Sequence, residues 1–270
     1  MSSINTNIGA QVGLTNLNST NTRLDRINNQ VSTGKKVSNP VEDASIFAIA
    51  QGLQSDIGGF SAVQQTLSSA TGAAAVAAAG ATQVSDLLSN LQAQAIQASN
   101  PANTPAQQSI LSAGFTATLN QIGTIVNNAT YNGVNLLQPG AASIGVTSTI
   151  SGGQLTVQNA SGVGGVTAAL AGGVATTAAA LSLLSTINSQ QLVVGQALGT
   201  LGASLNSINA QNTFTVTLSN ATTTGLGSLV DANLGQAAAQ LRATQVQQQL
   251  GAQTLGIANQ NPEVLLSLLR

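Results

Sequence analysis

The chain has 270 residues, of which 43% are apolar, 5% are charged and 2% are aromatic. It contains no cysteine and no histidine, which excludes disulfides, thiolate metal sites and the common Ser-His and Cys-His catalytic pairs. A net charge of −1 without clustered basic residues argues against nucleic-acid binding. Because so few charges keep copies of the chain apart, the composition favours self-assembly over a monomer kept soluble by amides and hydroxyls.

The amino-terminal segment carries apolar residues at a seven-residue spacing. Leu17, Leu24 and Val31 are seven apart, and Ile27 follows Leu24 by three. This narrow stripe is typical of a coiled-coil helix, and it predicts one from about Ile4 to Ser32. The segment lacks the apolar run of a cleaved secretory signal, so none is expected.

A turn separates this helix from a longer one. Gly34 and Asn39-Pro40 are stop signals. The next helix is predicted from Ala44 to Ser99, where Asn100-Pro101 ends it. The adjacent carboxylates Glu42-Asp43 could in principle do acid-base chemistry, but Asp43 stands where a helix cap is expected, so we interpret the pair as capping.

A third helix and a hairpin are predicted next. The helix runs from about Ala106 to Ala129, and its inward-facing residues are predicted to be Ile110, Phe115, Leu119, Ile122 and Val126. Between Ser143 and Ala160, apolar residues alternate on both sides of Gly152-Gly153, which predicts a β-hairpin that includes Ile150.

Helical spacing then resumes, with apolar positions at Leu181, Leu184, Ile187, Leu192, Leu198, Leu201, Leu205 and Ile208. The stretch TFTVTL, from Thr213 to Leu218, alternates like a strand, but the helical phase before it favours a continuing helix. The uncharged run from Val163 to Leu184 is long enough to span a bilayer. It lacks flanking basic residues and an aromatic belt, so membrane insertion is not expected.

The carboxyl-terminal segment mirrors the first helix. Leu234, Leu241 and Leu255 fall on one seven-residue repeat in which Gln248 takes the skipped position, and Asp231 is predicted to cap the helix. The stripe is taken to continue, after a small phase shift, at Val246, Leu250 and Ile257. Two striped helices at opposite ends of a chain should pair with each other or with copies, because isolated helices depend on burying their apolar face.

The chain ends in LLSLLR, which places four leucines where a terminus normally frays into water. These leucines and the two stripes predict an assembly interface. Its residues are Ile4, Ile8, Leu17, Leu24, Ile27, Val31, Leu234, Leu241, Leu250, Leu255, Ile257, Leu265, Leu266, Leu268 and Leu269. No catalytic, cofactor-binding or metal-binding residue is predicted, because no suitable constellation is present.

Both ends of the chain resemble a known family. The stretch STGKKVSNPVEDASIFAIAQGLQSDIGGFSAVQQ (Ser32 to Gln65) resembles the amino-terminal signature of bacterial flagellins. ATYNGVNLL (Ala129 to Leu137) and VDANLGQAAAQLRATQVQQQLGAQTLGIANQNPEVLLSLLR at the carboxyl end are also similar to flagellin sequence. The resemblance covers about Met1 to Leu137 and Leu181 to Arg270, in order, which is more specific than one short motif.

The resemblance implies a mainly α fold: a bundle of long helices with a terminal coiled coil and one small β-hairpin region. It implies three layers. Residues 1–43 and 229–270 would form the inner layer of a filament, residues 44–137 and 178–228 the surrounding helical layer, and residues 138–177 a short surface insert. The outer domains that many flagellins insert in the middle are absent from this short chain.

The implied function is that of a non-enzymatic subunit of the extracellular flagellar filament for swimming. The resemblance implies export in the unfolded state by the flagellar type III apparatus, with termini that order on assembly. Implied partners are copies of the chain, an export chaperone, and hook-associated and cap proteins. The main alternative is a hook-filament junction protein. An adhesin or membrane-active protein would depend on the run from Val163 to Leu184.

One departure from the family concerns innate immune recognition. Flagellins that the innate receptor detects typically carry two arginines and a glutamate near the end of their long first core helix. The matching positions here hold Asn90, Gln92 and Ala93. Loss of charge-assisted hydrogen bonds predicts weak recognition by that receptor.

Overall fold

The structure is a computed structural model that describes the backbone of residues 6–267 and the side chains of residues 6–260. The described chain is mainly helical with one two-stranded sheet, as predicted. Its elements are α1 (Ile8–Thr33), α2 (Ala44–Ala98), α3 (Pro105–Asn128), β1 (Ile144–Thr147), β2 (Gln154–Val157), α4 (Ser161–Gly164), α5 (Val166–Ala169), α6 (Thr177–Val230) and α7 (Leu234–Ser267).

The described chain forms two compact units. The first unit consists of residues 6–57 and 221–267, and the second unit of residues 58–220. Helices α2 and α6 contribute residues to both units, because each continues past a unit boundary. Helices α1 and α7 belong to the first unit alone.

Side-chain and glycine caps set the helix ends of the first unit. The Asn7 side chain caps the start of α1, and Gly34 ends this helix at a φ of 69°, a left-handed conformation that glycine adopts without strain. The Asp43 carboxylate accepts hydrogen bonds from the N–H groups of Ser45 and Ile46 at 3.0 and 2.9 Å. The predicted capping role of Asp43 is therefore confirmed.

The prediction that Asp231 caps the last helix was wrong. Asp231 forms an isolated antiparallel bridge with Lys35, so its backbone pairs with the loop that follows α1. The cap of α7 is Asn233, whose side-chain oxygen accepts a hydrogen bond from the N–H of Gln236 at 3.1 Å. Asn233 directly precedes the first residue of α7, whereas Asp231 lies two residues further from the helix.

The second unit has a core of large aliphatic side chains and small alanines. A hydrogen bond of 2.9 Å from Gln92 Nε2 to Asn188 Oδ1 joins α2 to α6. Ala74 and Ala81 of α2 are fully buried, which permits a close approach of neighbouring elements. The largest fully buried side chains of this unit include Leu67, Leu88, Leu91, Phe115, Ile122, Ile187, Leu201 and Ile208.

Some apolar residues of the predicted helical pattern lie on the surface. Ile110 was predicted to face inward but is 72% exposed, and Leu181 and Leu192 are also exposed. In the first turns of α3 the inward position is taken by Gln108, whose buried side chain donates a 2.6 Å hydrogen bond to the carbonyl of Val174. The remaining predicted inward residues of α3 are buried or pack against the core.

The hairpin forms where it was predicted. Ile144 pairs with Val157 and Val146 with Leu155 in an antiparallel register. Ile150 lies outside both strands, in the turn region between them, and is exposed. Two side chains attach the hairpin to the long helices: Thr66 Oγ1 donates to the carbonyl of Thr147 at 3.0 Å, and Gln211 Nε2 to that of Ser148 at 2.8 Å.

The two ambiguous segments are both settled. Residues Thr213 to Leu218 lie within α6, so the prediction of helix is confirmed. The buried Thr215 hydroxyl donates to the carbonyl of Gln211 at 2.8 Å, which satisfies it inside the helix. The run from Val163 to Leu184 folds into α4, α5 and the start of α6. Among residues 6–267, none of the helices combines the length and the hydropathy that a bilayer crossing requires.

Candidate assembly surface

The two terminal helices pair with each other in antiparallel orientation. Near the middle of the pair, Gln248 Nε2 donates a 2.8 Å hydrogen bond to Asn21 Oδ1. Near the far end, Asn7 Nδ2 donates a 2.7 Å hydrogen bond to the backbone carbonyl of Ala258. At the base of the pair, the N–H of Ala232 donates to the carbonyl of Gly34 at 2.9 Å.

One apolar stripe of each helix faces the other helix. We call these facing positions the seam. Five residues of the predicted interface belong to it: Ile27 is buried, and Leu17, Leu24, Leu241 and Leu255 are half-buried. The stripes that sequence reasoning found are therefore at least partly covered within a single chain.

Two glycines allow the seam to close tightly. A β-carbon added to Gly13 would lie 3.1 Å from Leu255 Cδ1, and one added to Gly251 would lie 3.3 Å from Leu17 Cδ1. Each helix therefore inserts a leucine over a glycine of the other. The arrangement is reciprocal, since each helix supplies one leucine and one glycine.

The other predicted interface residues with described side chains remain exposed. Ile8 and Ile257 are about two-thirds exposed, at 66% and 65%, and Leu250 is 55% exposed. Leu234 and Val31 are exposed as well. Single exposed apolar residues are ordinary, whereas several on one pair of helices form a candidate surface for association.

The predicted phase shift in the carboxyl-terminal stripe was wrong. The seam of α7 continues through Gln248 and Gly251, which are half-buried, whereas Val246 and Leu250 are exposed. At about 100° per residue, the exposed residues lie roughly on the opposite side of the helix from the seam. The two apolar faces of α7 were predicted as one stripe, because the aliphatic residues were favoured over a glutamine and a glycine.

The same opposition exists in α1. Ile8 and the exposed Val12 lie opposite the seam position Leu17. Val12 was missed by the sequence analysis, although its i, i+4 spacing from Ile8 was the available signal. We call Ile8, Val12, Val246, Leu250 and Ile257 the outer residues.

Five predicted interface residues cannot be placed on either face. Ile4, Leu268 and Leu269 lie outside the described residues. Leu265 and Leu266 fall within α7, but their side chains are outside residues 6–260.

Possible metal ligands do not cluster near this surface. Among the described residues, no three acidic, histidine or cysteine side chains come together in a way that could hold a metal ion. The one adjacent carboxylate pair has structural partners. Glu42 accepts hydrogen bonds from the N–H and the hydroxyl of Ser38 at 2.6 and 3.2 Å, and Asp43 caps α2. A pair of terminal helices with apolar surface on both sides defines a helical structural protein.

Comparison with known proteins identifies its family. Residues 4–141 match the family model of the bacterial flagellin N-terminal helical region. The chain is 32% identical over 271 residues to flagellin FljM of Caulobacter vibrioides, covering 100% of this chain and 99% of that one. The chain therefore belongs to the bacterial flagellin family and is a subunit of the extracellular flagellar filament.

Solved structures share the fold. A Bacillus cereus flagellin matches with a TM-score of 0.50 and 18% identity over 56% of this chain and 88% of that chain. A putative flagellar hook-associated protein of Vibrio parahaemolyticus matches with a TM-score of 0.60 and 13% identity over 70% of this chain and all of that one.

The family model and the sequence relatives confirm the predicted family, function, absence of enzymatic activity and location.

Proposed function

We propose that the chain polymerises through the outer residues, with the α1–α7 pair in the innermost layer of the filament. The observation that carries this proposal is that both terminal helices are apolar on two opposite sides. The seam uses one side within the chain, and the outer residues remain exposed on the other. Because outer residues occur on both helices, the pair needs neighbours in more than one direction, which suits an open helical assembly better than a closed dimer.

We also propose for this chain the three layers that its resemblance to flagellins implies. Residues 1–43 and 229–270 form the inner layer, residues 44–137 and 178–228 the surrounding layer, and residues 138–177 the outward surface. The leucines at 265, 266, 268 and 269 join the inner layer, where neighbouring copies cover them.

The direct test is to place a charge among the outer residues. The Leu250→Asp variant should slow seeded elongation of filaments by about tenfold or more, because a carboxylate would be buried without a partner. The matched control is Gln249→Asp, which adds the same charge at an adjacent, exposed position of α7. Electron microscopy and light scattering measure elongation. Equal elongation of both variants would rule out the proposed interface.

The same experiment gives a direct check of the filament role against the sequence-based alternative of a hook-filament junction protein. A filament subunit forms long filaments from the purified, seeded chain. A junction protein, incorporated in few copies, does not. The solved hook-associated protein shares the fold at 13% identity, so that likeness is no argument for the junction role.

We further propose that the chain is exported unfolded by the flagellar type III apparatus, with its carboxyl-terminal segment held by an export chaperone. Cap and hook-associated proteins are the other proposed partners. The outer residues of α7 support this, since an apolar helix face without its filament neighbours needs a cover. In a binding assay with the flagellar export chaperone, the full chain should bind and a chain lacking residues 261–270 should bind more weakly. Equal binding would contradict a terminal docking site.

We also propose that the innate immune receptor recognises the chain weakly. Gln92, at one position where recognised flagellins carry arginine, donates a hydrogen bond to Asn188 and accepts one from Gln191 at 3.3 Å. It is therefore engaged within the chain and carries no charge. Restoring the charges with Asn90→Arg, Gln92→Arg and Ala93→Glu should raise receptor-reporter activity. Strong activation by the parent monomer would contradict the proposal.

A further inference from the structure

We infer that the Asn21–Gln248 hydrogen bond, together with the two leucine-on-glycine contacts beside it, fixes the register of the α1–α7 pair. The 2.8 Å bond lies at half-buried seam positions. A second polar side chain of α7, the buried Thr244, donates to the carbonyl of Gln240 in its own helix at 2.8 Å, so its hydrogen bond does not depend on the register. A single polar layer in an apolar seam is known to select the register of helix pairs. Here it would determine where the outer residues of the two helices lie along the filament.

The seven-residue repeat makes such a device necessary. A repeating apolar seam matches nearly as well after a slip of one heptad, because each apolar residue then meets the next apolar layer. The observed register sets Leu17 on Gly251 and Gly13 on Leu255. A seven-residue slip would also displace the outer residues of one helix against the other by about 10 Å.

A slip in either direction separates the two amides. If α7 shifts by one heptad so that Leu255 takes the place of Gln248, then Asn21 lies beside Leu255 and Gln248 lies beside Ile27. If α7 shifts by one heptad in the opposite direction, Asn21 lies beside Leu241 and Gln248 lies beside Gly13. Both amides then lose their partner at half-buried positions, and an unpaired amide is far less favourable there than an amide pair.

The other polar contacts of the pair discriminate less. The Asn7 side chain donates to a backbone carbonyl, at Ala258, and every residue of α7 offers such a carbonyl. The backbone bridge near Gly34 fixes the base of the pair. It lies some twenty residues from the leucine-on-glycine contacts, and a local unwinding between them would let the far half slip while the base stays in place.

The absence of cysteine allows a direct measurement of register. Two double-cysteine variants, which both contain Ala258→Cys, report the register through disulfide cross-linking. In the first, the second cysteine is Ala10→Cys and a cross-link indicates the observed register. In the other, the second cysteine is Leu17→Cys and a cross-link indicates a slip of one heptad. Each reporter is made in the full chain with the native amides and with Asn21→Leu plus Gln248→Leu. Both are oxidised before and after seeding, and the cross-linked monomer is quantified by non-reducing electrophoresis.

The native amides should give mainly the Ala10–Ala258 product. The leucine pair should raise the ratio of slipped to observed product by about tenfold, since it removes the penalty for separating two amides. Leucine at both positions adds apolar surface to the seam, so general destabilisation does not explain a rise. Exchanging the residues, with Asn21→Gln and Gln248→Asn, keeps an amide pair and should restore the native ratio. An unchanged ratio with the leucine pair, before and after seeding, would overturn the inference.

The consequence for assembly depends on the proposed function, and the two can fail separately. If register controls assembly, the leucine pair should slow seeded elongation and the exchanged pair should not. If the leucine pair raises the ratio of slipped to observed cross-link but elongation stays normal, the register inference holds and its link to assembly is overturned. Normal elongation of Leu250→Asp would instead count against the assembly surface itself, whatever the cross-links show.

Discussion

The two units of the chain differ in how many of their apolar residues are buried. In the second unit, leucine, isoleucine, valine and alanine side chains of all the helices form one extensive buried core. In the described part of the first unit, the buried apolar residues are Ile27, Val37, Val230 and Ala237. Long apolar side chains such as Ile8 and Ile257 stay mostly exposed there. The second unit therefore has a large core within one chain, although side chains such as Ile110 and Leu192 are exposed on it, whereas few apolar side chains of the first unit are buried.

Charged residues are concentrated in the first unit and are almost absent from the second unit. Asp86 is the single charged residue between positions 58 and 220, and every other charged residue of the chain lies in the sequence of the first unit. The second unit therefore depends on hydroxyl and amide groups for its solvent-facing surface. The scarcity of charge in the second unit and the sparse burial of apolar residues in the first unit both favour association.

The largest effect is expected from a charge in the seam of the first unit. Leu24→Asp should abolish filaments, because it buries a carboxylate between α1 and α7 and disrupts the pair itself. Thermal unfolding of the second unit should be nearly unchanged. Circular dichroism and electron microscopy check the two outcomes. The control is Asn18→Asp, at an exposed position of α1 outside the seam. Filament formation by Leu24→Asp would contradict the assignment of Leu24 to the seam.

The next effect concerns the core of the second unit. Phe115 is fully buried in α3, so Phe115→Ala should lower the free energy of unfolding by about 3–5 kcal/mol through lost burial and a cavity. Phe214→Ala is the matched comparison, since that side chain is 55% exposed and should matter much less for the monomer. Denaturant unfolding measures both. Similar losses for the two variants would show that the second unit is not organised around this core.

A smaller effect is expected where backbone segments of the second unit approach closely. A β-carbon on the buried Gly164 would lie 2.5 Å from the carbonyl oxygen of Leu137 and 2.7 Å from the backbone nitrogen of Pro139. Gly164→Ala should therefore destabilise by about 1–3 kcal/mol, since backbone atoms must move. Gly195→Ala in α6 meets nothing within 4 Å and should be neutral or slightly stabilising. Calorimetric midpoints distinguish the two, and equal midpoints would contradict the close approach.

Much of the fold was predictable because its local signals agree. The long helices, the hairpin and the cap at Asp43 follow from periodicity and turn residues, and even the strand-like segment at Thr213 yields to helical phase. The errors share a cause. Ile110, Val246 and Leu250 were assigned by their apolar character. The inward positions near them are instead held by the buried Gln108 and the half-buried Gln248 and Gly251, which make hydrogen bonds or tight contacts that the sequence does not reveal.

The membership of the candidate surface stays a prediction, whereas its residues lie on two faces and not on the single stripe that was expected. Sequence reasoning found Leu17 and Leu250 as members of one interface, yet the first faces the partner helix and the second faces away from it. The two roles could not be separated without the pairing of α1 with α7, because each helix is apolar on two sides. A hydrophobic period indicates that a face is covered, and it does not say by which molecule.

The smallest predicted effect sharpens the comparison between a lone chain and a filament. Asn233 caps α7, so Asn233→Ala should cost about 1 kcal/mol of helix stability. Asp231→Ala keeps the backbone bridge to Lys35 and should cost less. If the first unit depends on neighbouring copies, the loss at Asn233 should appear as faster amide hydrogen exchange at the start of α7 in the monomer and should be much reduced in filaments. The second unit should show no such dependence on assembly. Identical exchange in monomer and filament would mean that the terminal pair is already stabilised within the single chain, and the outer residues would then need another explanation.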